Sequence, residues 1–366
     1  MKRNRIVAFL LCICVFIVSL SSCAKPEVAM EYKGSTITVN QYTYWMSLIK
    51  SSYVSASNDN AVYWDTEYST GKTYEQKMKE IVDFNVKTNL ICMHLFKELG
   101  LSISQSKLDQ IDASIEDLIE SYGSKSELNA ALSVYNINHK MLKEIYEIEV
   151  MTSMVYETLY AKNGMRAITD EALDEYYRSN YSLVDMIMIY DEYEYERDKD
   201  GKLIFDDSTN SYKVKQLTEA ETKAKNDLAE SIMNRLQNGE DFDELKKQYN
   251  ENPKKDIYVD GYYMSENDVS IYGSEIVSAS REMIIGTYKR IDDESVICIM
   301  KRKDLKDKPY ILDDYLSQFE NLLEYCKMED FNGYMSGLMK NVKVYDSALS
   351  EITVRNAPLI RDSGLM

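Results

Sequence analysis

Leu183-Val184-Asp185-Met186-Ile187-Met188-Ile189-Tyr190 is a continuous apolar run broken by a single Asp. A run of that length, bounded by polar segments and rich in β-branched residues, fits a buried strand. The pattern of the chain changes here. Before it, apolar residues recur at helical spacing; after it, short strands and helices alternate. That switch makes the fold class α+β and the chain multidomain.

Working upstream, Met78, Ile81, Val82 and Val86 share one helical face, and Gly100 stops that helix. Leu108, Ile111, Ile115, Leu118, Ile119 and Tyr122 mark a second stripe, ended by Gly123. Ser124 and Glu127 have capping-box spacing. Asn138 can cap a long helix carrying Leu142, Ile145, Ile148 and Leu159, and Thr169 can start a short one to residue 177. Nearer the start, residues 28–32 and 35–39 read as strands around a Lys33-Gly34 turn. Asn40 can cap a helix to about residue 53, and residues 58–73 read as polar, Tyr-rich and irregular.

Downstream, a charged, aromatic insertion runs to about residue 215. Thr218 and Glu221 form another capping box, opening a helix that Gly239 closes, and Asp241 and Glu244 open the next, through residue 249. A turn-rich loop, a strand at 261–264 and a short helix at 274–283 follow. A hairpin then pairs 287–291 with 296–302 across Asp292-Asp293-Glu294. Residues 309–344 return to helical spacing, with Leu316, Phe319, Leu323 and Cys326 on one stripe.

The opening residues read as an export signal. Lys2, Arg3 and Arg5 precede an unbroken apolar or small run over residues 6–20, and Leu20-Ser21-Ser22-Cys23 resembles a lipobox. Fifteen residues fall short of the roughly 20 that a spanning helix needs. The expectation is a cleaved signal over residues 1–23, a lipid on Cys23 and an extracytoplasmic body held to the cell membrane by that lipid, with palmitate as a component acyl chain. Formal net charge is −18, and removing the three signal cations leaves −21. That excess opposes nucleic-acid binding, which depends on Lys and Arg neutralising phosphates. Of six cysteines, Cys92, Cys298 and Cys326 remain beyond Cys23, scattered and odd in number, so no disulfide framework is expected. Two histidines, His94 and His139, stand without neighbouring ligands, so neither a metal nor another cofactor is expected.

The order of parts resembles the extracytoplasmic foldase lipoproteins of the PrsA/SurA type over almost the whole mature chain. Val28-Ala29-Met30-Glu31-Tyr32-Lys33-Gly34-Ser35-Thr36-Ile37-Thr38 resembles the opening hairpin of that family. Thr169-Asp170-Glu171-Ala172-Leu173-Asp174-Glu175-Tyr176-Tyr177 resembles its lead into the isomerase domain, and Asn238-Gly239-Glu240-Asp241-Phe242-Asp243-Glu244-Leu245 with Gln248-Tyr249 matches its parvulin G-x-x-F turn. The resemblance implies a mostly helical, SurA- or trigger-factor-like chaperone body over residues 24–181 and 304–366. A parvulin-like, PpiC-type domain over 182–303 is inserted in it. The implied partners are unfolded exported polypeptides.

The departures bear on activity. Parvulin sites usually carry a His on the first strand and another on the last, and those places fall at Met188 and Cys298; the Ser and Asp after the second helix align with Asn250 and Asn252. A catalytic set is therefore absent at these four positions, and Met188, Tyr262 and Met264 are candidate client-binding residues. Three classes stay open: a chaperone whose isomerase domain has weak or no activity, an active prolyl isomerase with an atypical site, and a surface lipoprotein using the scaffold for one partner. Glu196-Arg197-Asp198-Lys199-Asp200-Gly201, with Leu203 and Asp207, mimics a calcium loop, but Glu at position one, Asp at twelve and strand-like flanks favour a hairpin turn at Asp200-Gly201. Cys298 sits in an apolar strand without a basic neighbour, the setting of a structural thiol. His94, between Cys92-Met93 and Leu95, reads as a packing or surface residue. Thirty Tyr and 19 Met supply adaptable contact area as well as core.

Mass spectrometry of protein taken from membranes should find diacylated Cys23 as the first residue, and Cys23→Ala should leave the chain unprocessed or released. An unmodified N-terminus at another position would contradict the lipobox reading.

Overall fold

Strand β1 (Val28–Tyr32) turns back through Lys33 and Gly34 into β2 (Ser35–Thr38). Both turn residues have positive φ, 45° and 82°, the geometry that matches the twist of a tight hairpin. The computed structural model describes residues 27–255, 257, 258, 260–361 and 365; the export-signal reading, Cys23 included, lies outside them. Thr38 ends β2 and caps α1 (Val39–Tyr53) at once. Its Oγ1 accepts from Gln41 N–H at 3.3 Å, while Gln41 Oε1 accepts from Thr38 N–H at 2.9 Å. The cap is thus Thr38, two residues before the expected Asn40.

Residues 58–73, expected to be irregular, hold α2 (Ala61–Asp65) and a small hairpin of β3 (Glu67–Ser69) and β4 (Lys72–Thr73). Thr73 and Gln76 cap α3 (Tyr74–Glu98) reciprocally. That helix ends where Gly100, at φ 65°, lets Leu101 N–H return to Phe96 O at 3.0 Å. Helices α4 (Gln105–Ser121), α5 (Lys125–Leu132) and α6 (His139–Leu159) follow. α3 packs on α6, α1 and β2, burying Val82, Val86, Leu90 and Ile91 against the Leu142, Ile145 and Ile148 stripe.

The chain divides into two compact units. One comprises the described residues up to Ala167 with those from Lys327, and the other is Ile168–Cys326. These limits lie outside the expected 182–303, for a packing reason. Helix α7 (Asp170–Asn180) contributes Tyr177, and the 319–322 segment Phe319 and Leu322, to one aromatic cluster with Tyr181, Leu183 and Tyr263.

β5 (Ser182–Tyr190) is buried throughout, except for half-exposed Tyr190. The insertion after it holds β6 (Tyr193–Tyr195), β7 (Phe205–Asp206), β8 (Ser211–Tyr212) and β9 (Val214–Gln216), with β6 pairing β9 and β7 pairing β8. Its first turn is closed by Asp198, whose Oδ1 accepts from the N–H groups of Asp200 and Lys202, both at 2.9 Å. Then come α8 (Glu219–Gln237) behind the Thr218–Glu221 box and α9 (Phe242–Tyr249) capped by Asp241. β10 (Tyr262–Met264), α10 (Val269–Tyr272), α11 (Ser274–Glu282), β11 (Tyr288–Asp293) and β12 (Val296–Lys303) complete the unit. The last hairpin turns on Glu294-Ser295, tighter than expected, because Asp293 already pairs with Val296.

The sheet is antiparallel in the order β10-β5-β12-β11. Alternation along β5 and β12 sends Met186, Met188, Cys298 and Met300 to one face, against Ile276 and Ala279 of α11. Ile187, Ile189, Ile297 and Ile299 go to the other, against Ile232 and Leu236 of α8 and Phe242 and Leu245 of α9. Asp185, the polar interruption in the opening run, is buried on the α9 side and holds Lys246 Nζ at 2.6 Å.

α12 (Leu322–Met339) leads back into the helical unit, where β13 (Lys343–Val344) adds to β1 as a third strand, before α13 (Asp346–Leu349). Much of the span 309–344 is therefore short turns and strand rather than continuous helix. Lys50, fully buried, pairs with Asp59 at 2.9 Å and donates to Ala357 O at 2.7 Å, fastening the last described segment to α1. Arg166 and Asp330, in the same unit, form a two-bond fork, Nε to Oδ2 and Nη2 to Oδ1, each 2.7 Å. The Tyr160 hydroxyl donates to the same carboxylate, and the guanidinium lies 4.4 Å from the centre of the Tyr334 ring.

The Arg166 hydrogen bonds hold the Asp330 carboxyl below the usual range. A carboxyl whose folded pKa is depressed adds stability above its unfolded pKa and loses it as pH falls through the folded one. Asp330→Asn should cost about 1–2 kcal/mol in urea unfolding at neutral pH, since the pair is part-exposed. The difference between variant and parent should shrink below about pH 4. A difference that stays constant through acidification would contradict the ionic role.

Candidate functional site

Met188 on β5 and Cys298 on β12 stand directly opposite each other in the ladder. Both side chains point to the α11 face, setting a thioether beside a thiol. Burial pushes the Cys298 thiol up to about 12, with Asp293 and Asp292 adding to the shift, so it is protonated near neutrality. It is 1 % exposed, and Met188 is 9 % exposed. A thioether cannot donate a hydrogen bond and a thiol donates weakly, which leaves this pair suited to apolar contact.

The two asparagines serve the backbone. Asn250 Oδ1 accepts from Met188 N–H at 3.0 Å and from Asn252 N–H at 3.3 Å. Glu251 N–H in turn donates to Met188 O at 2.9 Å, so the loop after α9 is laced to the middle of β5. Asn252 donates through Nδ2 to Tyr262 OH at 2.5 Å, and its Oδ1 accepts from Lys254 N–H. Tyr262 stacks on Tyr258 with ring centres 4.3 Å apart, and meets Tyr272 edge to face at 6.0 Å. Burial raises the phenol pKa of Tyr262 and of Tyr272. Among the described residues, this face brings together shape, sulfur, aromatic rings and phenol hydroxyls.

Of the expected client-binding residues, Tyr262 and Met264 are fully buried in the core of the face, with Met188 beside them. The face is filled by its own side chains, with Tyr258, Tyr272 and Met283 packed at its edge. Exposed apolar residues flank these edge groups: Ile271 precedes Tyr272, and Ile284 and Ile285 follow Met283, at 69 %, 75 % and 53 % exposure. Sequence reading overlooked them because each lies in a short helix or turn without a periodic stripe; the usable signal was the pair Ile284-Ile285 just before Gly286. His94 lies in the other unit, edge-on to the Tyr32 ring at 5.4 Å and 3.2 Å from Glu98, a packing role.

No protein-family model and no curated protein matches the chain. Among solved structures, it is similar to a foldase protein PrsA from Streptococcus pneumoniae, at 16 % identity over 89 % of this chain and 97 % of that one, with a TM-score of 0.25. It is also similar to a peptidylprolyl isomerase, PrsA, from Bacillus cereus, at 16 % identity over 84 % and 96 %, TM-score 0.26. PrsA from Bacillus subtilis gives 15 % identity over 82 % and 95 %, TM-score 0.23.

Cys92, Cys298 and Cys326 are all buried, and burial pushes the first two thiols up to about 12. At pH near 8 none of the three should react with a thiol reagent on the minutes scale, whereas all three should react in urea. A fast-reacting Cys298 in the folded chain would mean that the face is open.

Proposed function

We propose that the chain is a lipid-anchored, extracytoplasmic chaperone that binds unfolded exported polypeptides, with a parvulin-like unit that has weak or no prolyl-isomerase activity. The observation that carries this reading is the Met188–Cys298 pair at the centre of the α11 face, where the resemblance implies imidazoles. Rotation about an X-Pro bond meets a barrier of about 18–20 kcal/mol. An isomerase lowers it with interactions stronger in the twisted amide than in either planar form. A sulfur-lined face binds both forms through the same dispersion contacts and gains little for the twisted one. Hydrogen bonds to charged groups are worth roughly 1.5–3 kcal/mol each, so lacking two of them costs a factor of ~100 or more in rate. Apolar affinity for extended chain does not depend on those groups. Exposed Ile271, Ile284 and Ile285 supply contact area beside the face, and the acidic body keeps the protein itself soluble.

A proline-limited refolding assay beside an aggregation assay tests this reading. Aggregation of an unfolded client should be suppressed at near-stoichiometric ratio, with X-Pro isomerisation close to the uncatalysed rate. Replacing Ile284 and Ile285 by Ser should weaken suppression and leave isomerisation unaltered. Robust turnover abolished by substitution at Met188 or Cys298 would instead establish an isomerase acting by shape and desolvation. Absence of both activities would favour a scaffold dedicated to one partner.

A further inference from the structure

In a chain of net charge −18, one cavity of about 580 Å³ gathers lysines: Lys246 and Lys247 from α9, Lys255 from the loop after it, and Lys303 from the end of β12. Asp243 and Asp260 also line it. Buried Asp185 lies beneath, holding Lys246 at 2.6 Å and Lys303 at 3.6 Å. Asp260 is engaged elsewhere by Lys306 at 2.7 Å. Among the described residues, Lys247 and Lys255 have no ion-pair partner, and both are exposed. Among the described residues, four ammonium groups therefore face three carboxylates, one of them shared outward, a small positive excess; Asp256, beside Lys255 in the loop, lies outside the described residues.

Asn250 lines the same cavity and supplies the second observation. It is 5 % exposed, and among the described residues its Nδ2 has no hydrogen-bond partner. The amide cannot simply be turned round, because Oδ1 already accepts from two backbone N–H groups, those of Met188 and Asn252. A buried donor left unmade costs free energy that an incoming acceptor would recover. The cavity thus combines excess cationic charge with a fixed neutral donor, which suits an anionic oxygen acceptor. The excess is near one charge and Asp243 and Asp260 stand in the wall, so a monoanion fits better than a phosphate dianion or a polyanionic surface, which the acidic body also repels.

We propose that this cavity is a carboxylate-binding site that seats an acidic side chain or the C-terminal carboxylate of an extended peptide. That the carboxylate belongs to a peptide rests on the chaperone reading; the anion chemistry rests on the cavity alone.

Fluorescence anisotropy with the full-length protein tests it, using three labelled peptides of one apolar sequence. One carries an internal Glu and an amidated end, one a free C-terminus, and one no carboxylate. At least one acidic peptide should bind about tenfold more tightly than the neutral one, and the preference should fall with added salt. Which of the two it is identifies the source of the carboxylate. Lys247→Glu with Lys255→Glu, both on exposed positions, and Asn250→Asp, which keeps the Met188 acceptor, should each abolish the preference. Equal binding of all three peptides, a preference that survives both variants, or charge-dependent binding seen only with anionic phospholipid vesicles would overturn the proposal. Suppression of aggregation of a client with amidated carboxyls reports the chaperone reading separately, and should be unchanged in both variants.

Discussion

An inserted unit is tolerated only if its host closes up behind it, and here the closure is the Arg166–Asp330 fork. Arg166 is the penultimate residue of the host before the insert and Asp330 the fourth after it, so a single bidentate pair fixes the exit and the re-entry of the chain. The Tyr160 hydroxyl and the Tyr334 ring complete the surroundings of the pair. Described segments C-terminal of the fork then reach elements built from the first 60 residues. β13 can add to β1, Tyr345 N–H can donate to Ala29 O at 2.9 Å, and Lys50 can catch the carbonyl of Ala357. The long return of the chain is made specific by polar contacts set into an otherwise apolar body.

Inside the insert the same economy of polar groups has the opposite outcome. One buried carboxylate, Asp185, organises Lys246 and Lys303 on the α9 side of the sheet, while the α11 side carries sulfur and aromatic carbon at its centre. Asparagines in the loop after α9 engage their oxygens with backbone N–H groups, Asn250 with Met188 of β5 and both of them within the loop itself.

Elements with a strong local signal were legible in the sequence. The Leu142, Ile145 and Ile148 stripe is buried, Thr218 and Glu221 do cap α8, and residues 183–190 form the central strand. What failed depended on distance or on competition between adjacent residues. Thr38 and Asn40 are both competent caps, and Thr38 wins because Gln41 stands three residues after it and can reach back. The compact unit reaches beyond 182–303 because the aromatic cluster joining Tyr177 to Phe319 spans 142 residues of sequence. The burial of Lys50 depends on an acceptor 307 positions away, beyond the reach of any local pattern. That Tyr262 and Met264 are sealed within the core was not legible, because their burial depends on packing against α11 and Tyr258.

The placement of β13 has a consequence for the order in which the protein is completed. A chain emerging from its N-terminus presents β1 and β2 first, but β1 lacks its second neighbour until Lys343 and Val344 arrive. The insert, by contrast, is continuous from Ile168 to Cys326 and has all its strands before the host has its last. Contacts of such long sequence separation are the slow ones to form. The unit that begins the chain is thus the last to close, and for that interval the body is itself a partly folded polypeptide with an open sheet edge.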